Sequence, residues 1–420
     1  MNALWTVALR SAWNRRFVLS LTLLSIALAT FLLLGIERVR GDVRQNFRQA
    51  VSGTDLIVGA RSSPVQLMLY AVFRIGNATN NMRWQSAEAL ARHPAVAWTA
   101  PLALGDSFHG FPVLGTTGSY FAHFQHGDHQ SLRLAQGRLN AGLFEAVLGA
   151  EVARQRGLHL GDRITLSHGS GGLLGAEHAD KPFTISGILQ ATGTPVDRTV
   201  HISLEAIEAI HLDWQGGAPL PGLVVPADQV QKFSLQPQTV TAVLVGLKTR
   251  AAVFRVQRWA SDFEAEPLQA VLPGVALDQL WEVLGGVEQA LLLMSALVAS
   301  VSLVGLVAVV LAGLNERRRE LAILRAVGAG PRHVFALLAL EGLLLTLGGV
   351  LLGAVALWLA IALGGPVLQA HTGIVLNLGA PGASQWQLAA ALLAVGALAS
   401  LVPGWRAYRL SLADGLIAKV

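Results

Sequence analysis

The chain has 420 residues, of which 53% are hydrophobic and only 14% are charged, and its formal net charge is +5. A soluble protein has about 25% charged residues, whereas residues 342–405 of this chain contain no Asp, Glu, Lys or Arg. The composition excludes a wholly cytosolic enzyme, a disordered chain and a nucleic-acid-binding protein with a basic soluble face, and the lack of cysteine excludes disulfides and thiolate metal sites.

Four apolar runs follow a basic N-terminal segment, residues 1–16, which we predict to be cytoplasmic and amphipathic. Each run approaches or exceeds the roughly 20 residues that cross a bilayer as a helix. The runs predict transmembrane helices at residues 17–36, 287–314, 333–363 and 386–403. Trp386 and Trp405 bracket the last and shortest run, which is typical of a membrane interface.

The first run has a second interpretation, a cleaved secretory signal. Ala27-Leu28-Ala29 follows a basic segment and resembles a cleavage site. The apolar run continues beyond it through Leu34, and this favours an uncleaved signal anchor.

The orientation of the helices follows from Lys and Arg, which concentrate in short cytoplasmic loops. The basic residues that flank the predicted helices are Arg10, Arg15, Arg16, Arg317, Arg318, Arg319, Arg325, Arg332, Arg406, Arg409 and Lys419. Loop 364–385 contains none. We therefore expect both termini, loop 315–332 and tail 404–420 in the cytoplasm, with segment 37–286 outside.

Segment 37–286 is long enough for one or two folded domains. Runs rich in β-branched residues predict strands at 55–59, 146–149, 163–166, 183–189 and 241–248. Helical patterns lie at 86–92, 151–156, 204–210 and 251–262, with Ser86 and Ser203 as predicted N-caps. The predicted fold is an α-helical membrane protein with four transmembrane helices and a large α+β extracytoplasmic domain between helices 1 and 2. Stalk helices at about 39–50 and 277–288 would continue the first two membrane helices outward.

The densest group of histidines in the predicted domain is the run FAHFQHGDHQ, with candidate metal ligands His123, His126 and His129. Asp128 lies among them and His109 lies upstream. Imidazoles and carboxylates are good ligands for zinc or copper, and this spacing can gather two or three of them. A polar surface loop that happens to be rich in histidine is the other interpretation.

Two further patterns in this segment give no catalytic site. The glycine-dense loop 169–175 is not followed by the Lys and Ser or Thr that a phosphate loop requires, and we predict a flexible hairpin tip. Ser167-His168 and Asp197-Arg198 lack the strand, nucleophile and helix context of a hydrolase. We assign no catalytic residue.

Loop 315–332 predicts a short amphipathic helix, because Leu321, Leu324 and Val327 form an apolar stripe beside three consecutive arginines. Gly328 would end that helix, and Pro331 suits the first turn of the next one. The loop is either a turn whose charge only orients the membrane helices, or a helix that docks into a groove on a soluble partner.

At this loop the sequence resembles a known family. NERRRELAILRAVGAGPRHVFALLALEGLLLTLGGVLLG is similar to the signature of the FtsX-like permeases, the ABC-superfamily membrane subunits that include macrolide-exporter, lipoprotein-release and cell-division permeases. The tail PGWRAYRLSLADGLI also resembles the family ending, with Leu412 in place of the usual Pro and Gly415 in place of the usual Ala. VLGAEVARQRGLHLGDRITL and FTISGILQATGTPVDRTVHISLEAI resemble the periplasmic domain of that family.

The resemblance implies a bacterial inner-membrane protein that forms a dimer, most simply a homodimer, on two copies of an ABC-type ATPase. ATP and Mg²⁺ would bind to that partner, and a periplasmic adaptor or lipoprotein is a further implied partner. The implied coupling helix would contact the ATPase through Glu316, Arg317, Arg319, Glu320, Leu324, Arg325 and Gly328. Family members resemble mechanical transmitters, and several move no substrate through the bilayer.

The residues themselves add two points. The chain has no G-x-x-x-x-G-K-[ST] motif, so we expect it not to be an enzyme by itself and to depend on a separate ATPase. Glu341 is an acid inside the third predicted membrane helix, where it either pairs structurally with a nearby Arg or takes part in the mechanism.

The leading functional hypothesis is the permease subunit of an ABC exporter or mechanotransmission complex. One alternative is a non-transporting envelope regulator or scaffold of the cell-division type. Another is a zinc-linked envelope system that uses the extracytoplasmic histidines. The lipid bilayer is the expected surroundings in all three, and we expect no nucleic-acid partner.

Overall fold

The computed structural model describes residues 16–50, 52–76, 80–127, 129–169, 177–215, 218–220, 224–316, 329–372 and 376–409. The chain forms two compact units. One unit, here called the membrane unit, comprises Met1–Asp42, Gly285–Pro366 and Leu376–Val420. The other, here called the sheet unit, comprises Val43–Leu284 and Val367–Val375.

Ten α-helices lie in the described residues. They are α1 Arg16–Gln49, α2 Pro64–Ala71, α3 Trp84–Ala91, α4 Gly118–His123, α5 Ala150–Arg156, α6 Leu204–His211, α7 Val253–Ser261, α8 Pro273–Glu316, α9 Pro331–Thr372 and α10 Ala383–Arg409. Four of them, α1, α8, α9 and α10, are long and apolar enough to cross a membrane. The prediction of four transmembrane helices, with the large domain between the first and the rest, is confirmed.

The strands all belong to the sheet unit. They are β1 Leu56–Ala60, β2 Met82–Arg83, β3 Val96–Phe108, β4 Phe111–Thr116, β5 Gln125–His126, β6 Gln130–Ser131, β7 Leu134–Gly137, β8 Glu145–Leu148, β9 Arg163–Ile164, β10 Ser167–His168, β11 Phe183–Leu189, β12 Val200–Ser203, β13 Trp214–Gln215, β14 Ala218–Pro219, β15 Thr239–Val240, β16 Ala242–Leu247 and β17 Leu268–Val271.

One mixed sheet of eleven strands organises the sheet unit. Its main path runs β17-β1-β16-β3-β4-β12-β8-β11-β7, with β10 added to β3 and β9 to β11. The β12–β4 and β11–β8 pairs are parallel, and the other pairs in this sheet are antiparallel. The 13-residue β3 pairs with three strands, so it lies at the centre of the unit.

Both faces of the sheet are covered by apolar side chains. In β1, Ile57 belongs to one hydrophobic core while Leu56 and Val58 belong to another, as the alternation of side chains along a strand requires. A third core surrounds Phe183 and Val200 of the neighbouring strands. Because both of their faces are buried, β1 and β16 have nearly continuous apolar sequences instead of an apolar and polar alternation.

In the membrane unit, glycines on α9 allow close approach of α1. A Cβ atom added to Gly349 would lie 2.6 Å from Ile26 Cγ2, and one added to Gly353 would lie 2.7 Å from Thr30 Cβ. The small residues of the third predicted membrane helix therefore pack against the first helix of the same chain. Ser25 and Ser302 add a side-chain hydrogen bond of 3.1 Å between α1 and α8.

The structure refines several sequence-based boundaries. Ser203 caps α6, because its Oγ accepts a hydrogen bond from the Ala206 N–H at 3.1 Å. The prediction that Ser86 is an N-cap is wrong, since α3 begins at Trp84 and Ser86 is buried inside it. The first two membrane helices continue without a break through the residues predicted as stalks. Most of the glycine-dense loop 169–175 lies outside the described residues.

Candidate metal centre

Four potential metal ligands of the sheet unit meet beside the central strand. Asp106 lies near the end of β3, and β10 pairs with β3 so that His168 is directly opposite it. His211 is the last residue of α6, and His178 follows the glycine-dense segment in the chain. In the part of the chain that the structure describes, this is the one group of three or more His and acidic residues whose ligand atoms all lie within 4.8 Å of one another.

The ligand atoms lie close to one another. His168 Nδ1 lies 3.0 Å from Asp106 Oδ1 and 3.1 Å from His211 Nε2. His211 Nε2 is 3.4 Å from the same carboxylate oxygen, and His178 Nε2 is 4.0 Å from it. Four donors at a tetrahedral zinc ion, with bonds of about 2.0–2.1 Å, are roughly 3.3 Å apart. The group therefore has close to the spacing of a tetrahedral site.

The surroundings of His178 are unusual for a buried imidazole. Its side chain is 0% exposed, and neither ring nitrogen has a hydrogen-bond partner among the described residues. Trp214 covers it, with the two ring centroids 4.4 Å apart. Because unpaired buried polar atoms are rare and costly, His178 is the residue of the group that most needs a ligand.

His211 is held in the orientation that a metal ligand requires. Its Nδ1–H donates a 2.8 Å hydrogen bond to the carbonyl oxygen of Ile207, one turn earlier in α6. With Nδ1 protonated, the lone pair of a neutral ring lies on Nε2, which is the atom that faces Asp106. Histidines that bind metals commonly donate their second nitrogen to a backbone carbonyl in this way.

The electrostatics of Asp106 and His178 favour the forms that bind a cation, whereas those of His211 favour its protonated form, which a bound ion would have to displace. Burial opposes ionisation of Asp106, but hydrogen bonds from His168 and His211 outweigh it and hold the pKa of the carboxyl well below its usual range. Burial, with the nearby positive charge of His211, lowers the pKa of His178 to about 4. Burial also disfavours charge on His211, but Asp106 outweighs it and raises the pKa of that imidazole. At neutral pH, Asp106 is thus ionised and His178 is neutral.

A buried ion pair fixes the turn that carries His178. Lys181 is fully buried and its Nζ donates to both carboxylate oxygens of Asp213, at 2.9 and 3.0 Å, and to Asp180 at 2.7 Å. The backbone N–H of Lys181 donates to the carbonyl oxygen of His178 at 3.1 Å. The lysine charge is compensated locally, so it leaves Asp106 available to another cation.

The histidines chosen from the sequence lie elsewhere in the sheet unit. His123 ends α4, is exposed, stacks on Trp98 with centroids 4.9 Å apart, and has its Nδ1 3.0 Å from the carbonyl oxygen of Ser119. His129 Nδ1 lies 2.9 Å from Gln125 Oε1, and His126 is buried in β5. Among the described residues, these three do not form a ligand group like the one around Asp106. Their assignment as zinc ligands stays a prediction, and Asp128 lies outside the described residues.

Two family models match the chain. The model of the FtsX-like permease C-terminal region matches residues 292–412. The model of the MacB-like periplasmic core domain matches residues 19–263, which is more than half of the chain. The chain belongs to the MacB-like, FtsX-like family of ABC transporter permeases. The sequence resemblance is therefore confirmed, and the protein is a membrane protein with a periplasmic-type sheet domain.

Solved structures similar to the permease include two soluble regions of transporters. The periplasmic region of MacB from Actinobacillus actinomycetemcomitans is 12% identical with a TM-score of 0.34, over 56% of this chain and 95% of that chain. The extracellular domain of the noncanonic ABC-type transporter YknZ from Gram-positive bacteria is 14% identical with a TM-score of 0.30, over 52% of this chain and 99% of that chain. Among curated proteins, none matches the permease in sequence.

The remaining predicted sites of the permease lie in or beside the membrane unit. Glu316 is the last residue of α8, and the rest of the predicted coupling residues lie in 317–328, outside the described residues. Glu341 lies in α9 with a half-buried side chain. The structural and mechanistic interpretations of Glu341 both stay predictions.

Proposed function

We propose that the permease is the membrane subunit of an ABC transporter complex in which a separate ATPase, with its ATP and Mg²⁺, drives movement of the extracytoplasmic domain for export or mechanotransmission. The observation that carries the proposal is the length of α1 and α8. At 34 and 44 residues they extend about 51 and 66 Å, against about 30 Å for the bilayer core. Helices of this length are suited to transmit a displacement beyond the membrane.

Within the sheet unit, the outer ends of these two helices are anchored by aromatic packing. Phe47 of α1 stacks on Phe73 with centroids 4.2 Å apart, and its ring lies 5.6 Å from that of Trp281 of α8. Arg44 of α1 lies over the Trp281 ring at 5.2 Å. Ala276 and Leu277 of α8 belong to the same hydrophobic core as Ile57 of the sheet. A displacement of either helix would therefore reach the sheet through packed side chains.

Within the membrane unit, a polar network ties α1 to the first turn of α10 and to the residues just before it. Arg38 donates to Asp42 at 3.1 Å, and to the backbone carbonyl of Asn377. Asp42 in turn accepts from the Asn377 N–H at 3.0 Å, and Gln385 donates to the carbonyl oxygen of Leu34. These contacts support a role for α1 as part of a rigid block.

The proposed contact with the ATPase is the loop 315–332, through Glu316, Arg319 and Arg325. In this proposal two permease chains bind two ATPase subunits at the cytoplasmic face of the inner membrane, and both termini are cytoplasmic. The match to the model of the FtsX-like permease C-terminal region supports this assembly, because loop 315–332 falls within the matched residues 292–412.

Reversing Arg319 and Arg325 to Glu tests the docking role. We expect the doubly substituted permease to insert in the membrane, because the other basic flanks remain, but to lose association with its partner ATPase. The measurement is co-purification from detergent, together with stimulation of ATPase activity. The matched control is Lys248→Glu with Arg250→Glu, which changes the net charge equally at two exposed residues of the sheet unit. Full assembly of the Arg319 and Arg325 variant with the ATPase would show that the loop is only a turn whose charge orients the membrane helices.

A further inference from the structure

We propose that Asp106, His168, His178 and His211 bind one Zn²⁺ ion in the sheet unit. The proposal goes beyond the transport role and does not depend on it. It also assigns the ion to a different set of residues from the histidine run at 123–129.

The donor set is suited to zinc. It provides three imidazole nitrogens and one carboxylate oxygen, and the chain has no cysteine that would favour softer ions. The group is unsuited to Ca²⁺ and Mg²⁺, because these ions require six or more ligands that are mostly oxygen atoms. The three spacings among Asp106 Oδ1, His168 Nδ1 and His211 Nε2 lie between 3.0 and 3.4 Å, close to the edge of a zinc tetrahedron, and His178 Nε2 lies 4.0 Å from Asp106 Oδ1.

A hydrogen-bonded network without an ion accounts for fewer of the contacts. One proton on His168 Nδ1 can satisfy either Asp106 or His211, and both of these atoms face it within 3.1 Å. Among the described residues, His178 has no hydrogen-bond partner, although its Nε2 lies 4.0 Å from Asp106 Oδ1 and its side chain is fully buried. A bound ion would give His178 Nε2 a partner. It would also bind His168 Nδ1, so that Asp106 and His211 would no longer compete for one proton there.

The position of the ligands indicates what the ion would do. Asp106 and His168 come from paired strands, His211 from the end of α6, and His178 from a turn fixed by the buried Lys181. His168 and His178 are ten residues apart in the chain and come from a strand and a turn, so the ion would join these two segments as well. Four protein ligands leave no open position for a substrate, as in structural zinc sites. The ion would therefore stabilise this side of the sheet unit.

Zinc binding by the full-length permease, purified in detergent without a polyhistidine tag, tests the proposal. The probe is Zn²⁺ alone, measured by competition with a chromophoric chelator at about pH 7.5, which is above the ordinary imidazole pKa of about 6.5. The ligand variant is His168→Gln with His211→Gln, whose side chains are 34% and 24% exposed and therefore tolerate replacement better than His178. The matched control is His123→Gln with His129→Gln, both exposed.

We expect one Zn²⁺ per chain in the unsubstituted permease and in the control. In the ligand variant, affinity should fall at least as much as the roughly 10–100-fold that loss of an outer-shell partner costs. Co²⁺ should give the absorption of a tetrahedral ion in the first two proteins only. Absence of Zn²⁺ binding, or unchanged affinity in the ligand variant, would overturn the proposal. Loss of binding only in the control would assign the ion to the 123–129 run instead.

Thermal unfolding separates loss of the ion from loss of the fold. With a chelator present, the ligand variant should melt close to the unsubstituted permease. Added Zn²⁺ should then raise the melting temperature of the unsubstituted permease and of the control, but not of the ligand variant, because an ion stabilises only the state that binds it. If the double variant does not fold, His168→Gln alone serves for the same measurement, and equal stabilisation by Zn²⁺ in that variant would contradict the proposal.

Discussion

At the scale of single residues, the sheet unit buries an imidazole that is separate from the candidate metal centre. His201 of β12 is fully buried, and its Nδ1 lies 3.2 Å from the carbonyl oxygen of Val147, to which it donates. Its ring lies among aromatic side chains, 5.8 Å from Tyr120 and 5.6 Å from Phe121 between centroids. Burial, with the nearby charge of Arg74, lowers the pKa of His201 to about 3.

His201 should make the permease less stable in acid. Below about pH 6.5 the unfolded chain protonates this histidine, whereas the folded chain does not until about pH 3. The unfolded state then binds more protons, so the free energy of unfolding falls as the pH falls, by up to about 1.4 kcal/mol per pH unit from this group. Denaturation at pH 7 and pH 5 measures the slope.

The variant His201→Asn keeps a hydrogen-bond donor for Val147 but does not titrate. We expect its stability to decline less steeply with acid than that of the unsubstituted permease. His159→Asn is the control, because that side chain is 83% exposed and should leave the slope unchanged. Parallel slopes for His201→Asn and the unsubstituted permease would show that His201 is not the responsible group.

At the scale of elements, the sequence predicts the strands whose own residues favour a strand. The strands β1, β11 and β16 contain at least two β-branched residues each and lie within one residue of the predicted ranges. The central strand β3 was missed, because Pro101, Gly105 and Asp106 interrupt its apolar pattern. β3 is held in place by its pairing with neighbouring strands such as β16 and not by its own sequence, and this pairing accommodates Pro101.

The candidate metal centre is a product of that missed strand. Asp106 and His168 are adjacent only through the β3–β10 register, and they are far apart in sequence. His211 joins them because α6 packs beside the same sheet. A local run such as 123–129 is visible in a sequence, whereas a group assembled by three elements is not. The spacing of Asp106 and the three histidines along the sequence does not match a metal-binding motif, so a search for motifs does not find them.

The contact between α1 and α9 gives a prediction at this scale. Replacing Gly353 with Leu would bring side-chain atoms against Thr30 and the carbonyl of Ala27, and the backbone of α1 cannot move locally to make room. We expect a loss of about 1–3 kcal/mol in stability, seen as a lower melting temperature in detergent and less monodisperse protein.

The control lies in the same helix. A Cβ atom at Gly364 would meet no heavy atom within 4 Å, so Gly364→Leu adds the same side chain without the clash. Equal melting temperatures for the two variants would mean that α1 and α9 are not packed closely at Gly353.

At the scale of the whole molecule, the arrangement depends on which side of the bilayer each segment occupies. The four apolar helices and the family establish a membrane protein, and the distribution of arginine supplies the orientation that we propose. Loop 315–332 and the tail are rich in arginine, whereas loop 364–385 has none. The ATPase and the sheet unit must be on opposite sides for the proposed coupling to operate.

Reporter fusions test this orientation. A reporter that is active only outside the cytoplasm should be active when fused after Gly217 and inactive when fused after Val420. A reporter that fluoresces only in the cytoplasm should give the opposite pattern at both sites. Extracytoplasmic activity at the C-terminus would contradict the four-helix topology.

The pairing of β1 with β16 and β17 also has a consequence for synthesis. β1 is made at residues 56–60, but its two neighbours in the sheet are made only at 242–247 and 268–271. At the usual rate of about 5–20 residues per second, β1 waits roughly 10–40 s for both partners. During that time the nascent sheet has an apolar strand with both edges unpaired, a state that favours aggregation. The ribosome reaches the second membrane helix almost as soon as the sheet can close, so completion of the domain and insertion of that helix are nearly simultaneous steps of biogenesis.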